Sequence, residues 1–408
     1  MKPQRCEADV LNRIERARRH GDKLKEEFVT LSHGAGGKAS AQLVEQVFVA
    51  EYGNTVLNEL TDAGVLSWSD MIAAAHQAAV SDQASSGAAT AHADIHSAGT
   101  DADKLAIAVT NPSESSPAQP RLAFSTDSYV VSPIQFPGGS IGELAVNGTV
   151  NDLAVSGAVP YGLSAAFVIE EGLPISTLRK IVADMHAAAD KAGVRIVAGD
   201  TKVVPKGAAD QLYITTAGVG AIPAFVQLSA ANVQRGDRIL LSGAIADHGM
   251  AVMMARGELG IDAPIQSDTR AVNKIVAALL QAVPKTRWMR DATRGGLGTV
   301  LNELARDTNL GVAIYDQQIR VHDTARGACD MLGIDPLYVA NEGMFVAVVP
   351  EEKADAALAA VQAVPGGEEA CLAGKIVAKP EAAVVLVTGF GGTRLVDMLV
   401  GDPLPRIC

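Results

Sequence analysis

Four aspartates stand out as residues that could do chemistry: Asp127, Asp152 and Asp200, each next to Gly, Ser, Thr or Asn, and Asp291, with Thr293 and Gly295 close behind it. Converging at strand ends or on an adjoining helix, such carboxylates would suit a hard cation such as magnesium, which leaves room for phosphate oxygens. Taken singly, each is better explained as a helix cap or a turn residue. The metal reading therefore rests on the group. Two glycine clusters point to an anion as well. Gly34, Gly36 and Gly37 would let backbone N–H groups approach a phosphate, with Lys38 supplying charge. This is not a P-loop, since Ser32 stands where the first glycine belongs and Ala39 follows the lysine; alone, a flexible turn explains it. The run Asp291-Ala-Thr-Arg-Gly-Gly296 enters a helix striped with Leu297, Val300, Leu301 and Leu304. It offers a helix N-terminus plus Arg294, a better-defined anion site.

The sequence ends Leu404-Pro-Arg-Ile-Cys408. A thiol near its ordinary pKa of about 8.5 is only a few per cent ionised at neutral pH, yet remains a usable nucleophile. The seven residues after Gly401 could extend roughly 25 Å, and Pro403 and Pro405 limit collapse. This suits a swinging arm that takes a cargo outside and delivers it inside, set against the plain reading of an inert terminus. Glu143, Asn147 and Asn151 fall at successive i, i+4 steps of a helix, a polar ridge that meets a ligand, a buried partner or solvent. His92 and His96, with His76 nearby, have metal-like spacing but lie in low-complexity sequence, and Cys329 reads as core.

The elements that must position these groups are legible in outline. Arg121–Ser125 reads as a strand delivering Thr126-Asp127-Ser128 at its end, and Ile141–Ala154 as a helix. A helix through Leu178, Ile181, Val182 and Met185 stops at Gly193, followed by a short strand, Val194–Ala198, that ends at Gly199-Asp200-Thr201-Lys202. Gln211–Gly220 is a further strand; Arg238–Ser242, a helix from Asp247 and the helix Leu297–Ala305 open a second half. The organisation expected is a charged N-terminal extension over 1–30, a first domain over 31–226 with an Ala/Ser/Thr-rich insertion at about 67–120, a second domain over 227–400 and a tail over 401–408.

At 408 residues the chain is too long for one ordinary core. The formal charge of -12 and the lack of a basic block argue against nucleic acid, and no run of about eighteen apolar residues marks a membrane span. Four scattered cysteines make neither a disulfide framework nor a zinc site, which fits a reducing cytoplasm.

Several segments together resemble the HypE hydrogenase maturation proteins: His33-Gly-Ala-Gly-Gly37, Thr126-Asp-Ser-Tyr-Val-Val131, Phe136-Pro-Gly-Gly139, Asn147-Gly-Thr-Val-Asn-Asp-Leu-Ala154, Gly199-Asp-Thr-Lys-Val-Val204, Arg290-Asp-Ala-Thr-Arg-Gly-Gly296, Ala340-Asn-Glu-Gly343 and Pro405-Arg-Ile-Cys408. The similarity covers about 31–66 and 121–408, in order. It implies an α+β, two-domain PurM-like (AIR synthetase-like) fold, with mixed sheets and helices packed on one face. It further implies an N-terminal sheet that dimerises and an ATP site between the domains. ATP and Mg2+ would be the cofactors. Gly36, Gly37, Lys38, Asn147, Asn151, Thr201 and Arg294 would join the four aspartates around the nucleotide, and Asp62, Asp127, Asp152 and Asp291 would hold metal. The long insertion leaves Asp103 as a substitute for Asp62.

The implied reaction starts with a carbamoyltransferase, HypF, loading Cys408. ATP-dependent dehydration then gives a thiocyanate, and the cyanide passes to iron on a HypC–HypD complex for [NiFe]-hydrogenase. Lys202 and Glu303 are the implied proton acceptors. Sister readings are a selenophosphate synthetase, which would need a reactive cysteine in the Ser32–Lys38 loop, and a purine-pathway synthetase, which would not need Cys408. A non-catalytic thiol carrier is the alternative from another class.

Overall fold

The structure is a computed structural model, and it describes residues 26–34, 38–57, 69–73, 120–257 and 263–398. Expectations for Asp62, Asp103, Gly36, Gly37, Cys408, the three insertion histidines, most of the insertion and the tail lie outside those residues, as does the side chain of Lys38.

Two sheets organise the chain. The first has four strands: β1 (Arg121–Tyr129), β4 (Val159–Glu170), β5 (Arg195–Val204) and β6 (Leu212–Ile222), in the order β1-β6-β4-β5. Only β4 and β5 run parallel, joined by helix α2 (Ile175–Ala192) in the crossover that parallel strands require. Gly193 closes α2 at φ 76°, a left-handed C-cap, where the sequence placed its end. Alternate residues of β1 point to opposite faces, so Ala123, Ser125, Asp127 and Tyr129 face the helices while Leu122, Phe124, Thr126 and Ser128 stay exposed. A small hairpin, β2 (Gln135–Phe136) with β3 (Gly139–Ser140), leads into helix α1 (Ile141–Val155).

Helix α1 is buried on nearly every side. One side lies on the first sheet and α2; the far end, with Leu153 and Ala154, joins the apolar cluster of the second half. That sandwiching is why its polar ridge does not face solvent. The second sheet has seven strands, in the order β13-β12-β9-β11-β7-β10-β8. These are β7 (Arg238–Leu241), β8 (Trp288–Asp291), β9 (Gly311–Tyr315), β10 (Phe345–Val349), β11 (Cys371–Val377), β12 (Val384–Val387) and β13 (Thr393–Val396). Helices α4 (Asn273–Ala282) and α7 (Ala354–Gln362) pack beneath Phe345, Ala347 and Val349. Helix α5 (Gly296–Thr308) packs its Leu297, Val300, Leu301 and Leu304 against Val346 and Val348 on the other side. The first sheet thus carries helices on one face, whereas β10 is buried on both faces and reads as an unbroken apolar run, Phe345–Val349. Helices α3 (Asp247–Ala255) and α6 (Asp323–Leu332) complete the second half, with Cys329 in their shared core, as expected.

Two strand limits differ from the sequence reading, and both matter for the site. β1 continues to Tyr129, so Asp127 sits inside a strand opposite Thr216. β5 continues through Gly199-Asp200-Thr201-Lys202 to Val204, because β4 supplies ladder partners up to Glu170. Polar residues that looked like a loop are the exposed end of a sheet.

Candidate active site

A cleft of about 950 Å³ lies where the two halves meet. β1 and α1 form one wall, and β8 with the start of α5 forms the other. Its size is that of a small-molecule or nucleotide site. Asp127 comes from β1, Asp152 from the last turn of α1, Arg290 and Asp291 from the end of β8, Arg294 from the turn between β8 and α5, and Glu303 from α5. Five of these six were picked out or implied by the sequence; Arg290 stood only inside a motif.

The charges are arranged asymmetrically. Ser125 Oγ donates to Asp152 Oδ2 at 2.6 Å, which favours the ionised form. Burial outweighs that bond and raises the Asp152 pKa, with the charge on Asp127 adding to it. Burial, then the charge on Asp152, pushes Asp291 up to about 7. Across the cleft, Arg290 Nη1 meets Glu303 Oε2 at 2.9 Å. Arg294 is exposed beside the first turn of α5, where Gly295 and Gly296 take φ of 74° and 60°. A side chain at Gly296 would meet the carbonyl oxygens of Leu337 and Val339 as well as a left-handed backbone. The glycine pair thus lets the helix N-terminus seat close under the cleft, leaving its N–H dipoles available to an anion.

Among the described residues no three carboxylate, thiol or imidazole groups converge tightly enough to hold an ion by themselves. The donor chemistry nevertheless fits a divalent cation: Asp127 and Asp152 on one wall face Asp291 on the other, and burial, with their mutual repulsion added, raises the pKa values of Asp152 and Asp291. Hard oxygen donors held in excess negative charge are what magnesium and phosphate oxygens together would offset.

Sequence reasoning gave one residue no role. Glu342 is 4% exposed, and burial followed by the charges of Asp291 and Asp268 holds its carboxyl well above the ordinary range. It sits behind the acidic wall, inside the Ala340-Asn-Glu-Gly343 segment. A glutamate between Asn and Gly reads as a turn, so periodicity carried no signal of burial.

The other expected residues divide into two groups. Asn151 is spent internally: its Nδ2 donates to Arg270 O (3.0 Å) and Glu342 O (3.2 Å), and its Oδ1 accepts from Val272 N (2.8 Å). Asn147 Nδ2 donates to Thr269 Oγ1 at 3.2 Å. The ridge therefore meets a buried partner, the segment crossing between the halves. Asp200, Thr201 and Lys202 are not brought to the cleft within the chain. Three strand spacings separate β5 from β1, about 14 Å at 4.7–4.9 Å each. Asp200 shares the exposed face of the sheet with Thr215 and Ser128, and Lys202 Nζ caps it at 2.9 Å, lowering its pKa.

Comparison with known proteins agrees with this geometry. Residues 102–222 match the N-terminal domain of AIR synthase related proteins, and 234–387 match the C-terminal domain. The chain is 43% identical over 387 residues to the carbamoyl dehydratase HypE of Rhodobacter capsulatus, covering 94% of this chain and 99% of that protein. It belongs to the HypE family of carbamoyl dehydratases, the hydrogenase maturation proteins. The fold agrees. A crystal structure of HypE in complex with ATP superposes with a TM-score of 0.76 at 38% identity, covering 93% of this chain and 99% of that one. A HypE–HypF complex structure gives 0.66 at 44% identity, over 68% and 90%. The expected PurM-like two-domain architecture is therefore the one this HypE-family chain adopts. No described helix is long and apolar enough to cross a membrane.

Proposed function

We propose that the chain dehydrates a carbamoyl group carried on the Cys408 thiol to a thiocyanate, using ATP bound in the cleft between its halves. The observation that carries this reading is the cleft itself, with an acidic wall opposite an arginine-bearing helix N-terminus. The likeness to a HypE solved with ATP supports the nucleotide. An amide oxygen leaves poorly, and its transfer to the γ-phosphate turns it into phosphate, a good leaving group. The carbon–oxygen bond breaks, two protons leave nitrogen, and S–C≡N, ADP and phosphate result.

Each group around the cleft has a part in that reaction. The α5 N-terminus and Arg294 bind phosphate oxygens. Asp127, Asp152 and Asp291, with Asp62 outside the described residues, would hold magnesium, which neutralises triphosphate charge when bound. Glu303 is oriented by Arg290 and can take a proton from nitrogen; Glu342, buried behind the acidic wall, keeps its own proton and is not an acceptor.

We further propose a homodimer through the exposed face of the first sheet, where Leu122 and Phe124 are 54% and 68% exposed. The cleft opens round the edge strand β1 onto that same face, since Leu122, Phe124 and Thr126 also line it. A second protomer packed there would carry its Asp200 and Lys202 toward the cleft and so supply the groups β5 withholds. A carbamoyltransferase of the HypF kind is the proposed donor, in keeping with the solved HypE–HypF complex, and a HypC–HypD complex the acceptor. The proposed compartment is the cytoplasm.

The test is the intact mass of the Cys408 peptide after carbamoylation, with and without magnesium-ATP. Loss of one water only with ATP supports the dehydratase. A carbamoyl adduct unchanged while ATP is bound makes the chain a carrier. No adduct on Cys408 returns it to small-molecule synthesis.

A further inference from the structure

Between β8 and α5 the chain turns sharply at the mouth of the second half. Asp291, Thr293 and Arg294 of this turn line the cleft, whereas Ala292 points away from it and is fully buried in the apolar core beside Leu297. One residue grips the Ala292 carbonyl from behind with two donors: Asn341 Nδ2 at 2.8 Å and Asn341 N at 3.1 Å. The same amide donates to Val339 O at 3.1 Å, and its Oδ1 accepts from Ala246 N at 2.7 Å. Asn341 is wholly buried and lies outside the lining of the cleft. The turn that carries it is itself fixed. Asp268 accepts from Glu342 N and Gly343 N at 3.0 Å each, Arg270 Nε donates to Gly343 O at 2.7 Å, and Gly249 N donates to Ala340 O at 3.1 Å. A side chain at Gly343 would lie 1.8 Å from Asp268 O. Ala246, bonded to Asn341 Oδ1, stands at φ 80°, a left-handed backbone that an alanine keeps only where its surroundings dictate it.

We propose that Asn341 is a positioning residue that holds the Asp291–Arg294 turn in register, keeping Asp291 opposite Asp127 and Asp152 and Arg294 beside the start of α5. This deepens the nucleotide reading of the cleft and rests on it. Asp291 faces two carboxylates of like charge, which favour its withdrawal from the cleft. A tie on the backbone behind Asp291 opposes that withdrawal without occupying the carboxylate oxygens that would meet a cation. Such a tie works only from a rigid anchor, and the bonds from α3, Asp268 and Arg270 make the Ala340–Gly343 turn one. Asn341→Ala keeps the backbone bond to Ala292 O and deletes the three side-chain bonds, to Ala292, Val339 and Ala246. Supports one shell behind the metal-facing groups are worth about 10- to 100-fold in metal affinity.

The experiment compares the full-length parent with Asn341→Ala and with Asn341→Ala/Ala246→Gly. Glycine takes the left-handed backbone freely, so the second variant regains stability without regaining the tie to Ala292. Stability is read by urea unfolding, the 293–296 amides by hydrogen–deuterium exchange, and binding of a magnesium-loaded, non-hydrolysable ATP analogue by calorimetry. The expected result is faster exchange at 293–296, with the amides of α4 as protected as in the parent. The analogue should bind about tenfold more weakly to both variants, although the double variant unfolds at higher urea than the single one. Affinity that returns together with stability would make Asn341 a plain structural residue and overturn the proposal. Unaltered exchange at 293–296 would overturn it too, as would faster exchange with unchanged affinity. Failure of the parent itself to bind the analogue would sink the nucleotide reading, a result separate from any difference between parent and variants.

Discussion

Asp291 offers the sharpest quantitative test, because its pKa is set by the wall that is proposed to bind metal and phosphate. Burial and the neighbouring Asp152 charge take it from 3.8 to about 7. A carboxyl whose folded pKa is raised contributes stability below its unfolded pKa and loses it as pH climbs through the folded value. The window is therefore about pH 4 to 8. Three units at 1.36 kcal/mol each give an upper limit of about 4 kcal/mol. Asp291 keeps part of its surface in the cleft and shares its titration with Asp152, so about 2 kcal/mol is the working figure.

Asp291→Asn removes the penalty while keeping the shape. In metal-free buffer at pH 8 the variant should exceed the parent by about 2 kcal/mol, roughly 4–8 °C in thermal midpoint. At pH 4 the two should coincide, because the parent carboxyl is then protonated too. Added magnesium should raise the parent's midpoint at pH 8 and leave the variant nearly unmoved, since the ion binds the folded carboxylates. ATP turnover by the variant should be lost. Equal destabilisation at both pH values would refute the electrostatic account and make Asp291 a plain structural residue.

Three further outcomes follow from the same geometry. Ser125→Ala removes the donor that favours ionised Asp152, so the acid limb of activity should move to higher pH while activity on the alkaline side of that limb is kept, read from an activity–pH profile; an unmoved limb would show that Asp152 ionisation does not limit the reaction. Asn151→Ala strands three buried backbone partners and should cost about 3 kcal/mol in urea unfolding with ATP affinity kept; a loss of affinity without a loss of stability would return Asn151 to the nucleotide. Mixed dimers of Lys202→Ala with Asp291→Asn should regain roughly a quarter of parent activity if Lys202 serves the partner's cleft, because one site of each heterodimer is then intact. No regain would place Lys202 in its own cleft.

How far the sequence revealed all this depends on whether a residue's role is local. The helix stop at Gly193 and the apolar stripe of α5 were legible because caps and 3.6-residue periods are written in neighbouring positions. Asp127, Asp152, Asp291 and Arg294 were legible as a group because small polar flanks mark chain turning near a charge, even though Asp127 proved to lie within a strand. The continuation of β5 past Gly199 was not legible. Its pairing is decided by β4, more than thirty residues earlier, and polar residues on an open sheet face imitate a loop. Glu342 was hidden for the opposite reason, since its burial arises from two halves closing on a short turn.

The Asn147 and Asn151 ridge shows how the two failures combine into a rule. Periodicity correctly placed both amides on one side of α1, but a helix cannot say what comes to lie against it. Arg270, Val272 and Glu342 of the second half engage both ends of the Asn151 amide, so the ridge fixes the angle between the two halves rather than reaching the ligand. That angle is itself functional. Asp152 is one residue beyond Asn151 on the same turn, and it faces Asp291 only while the halves stay docked. The asparagine and the aspartate are therefore coupled through one helical turn. Asn151 holds the second half in place, and Asp152 meets the carboxylate which that half delivers.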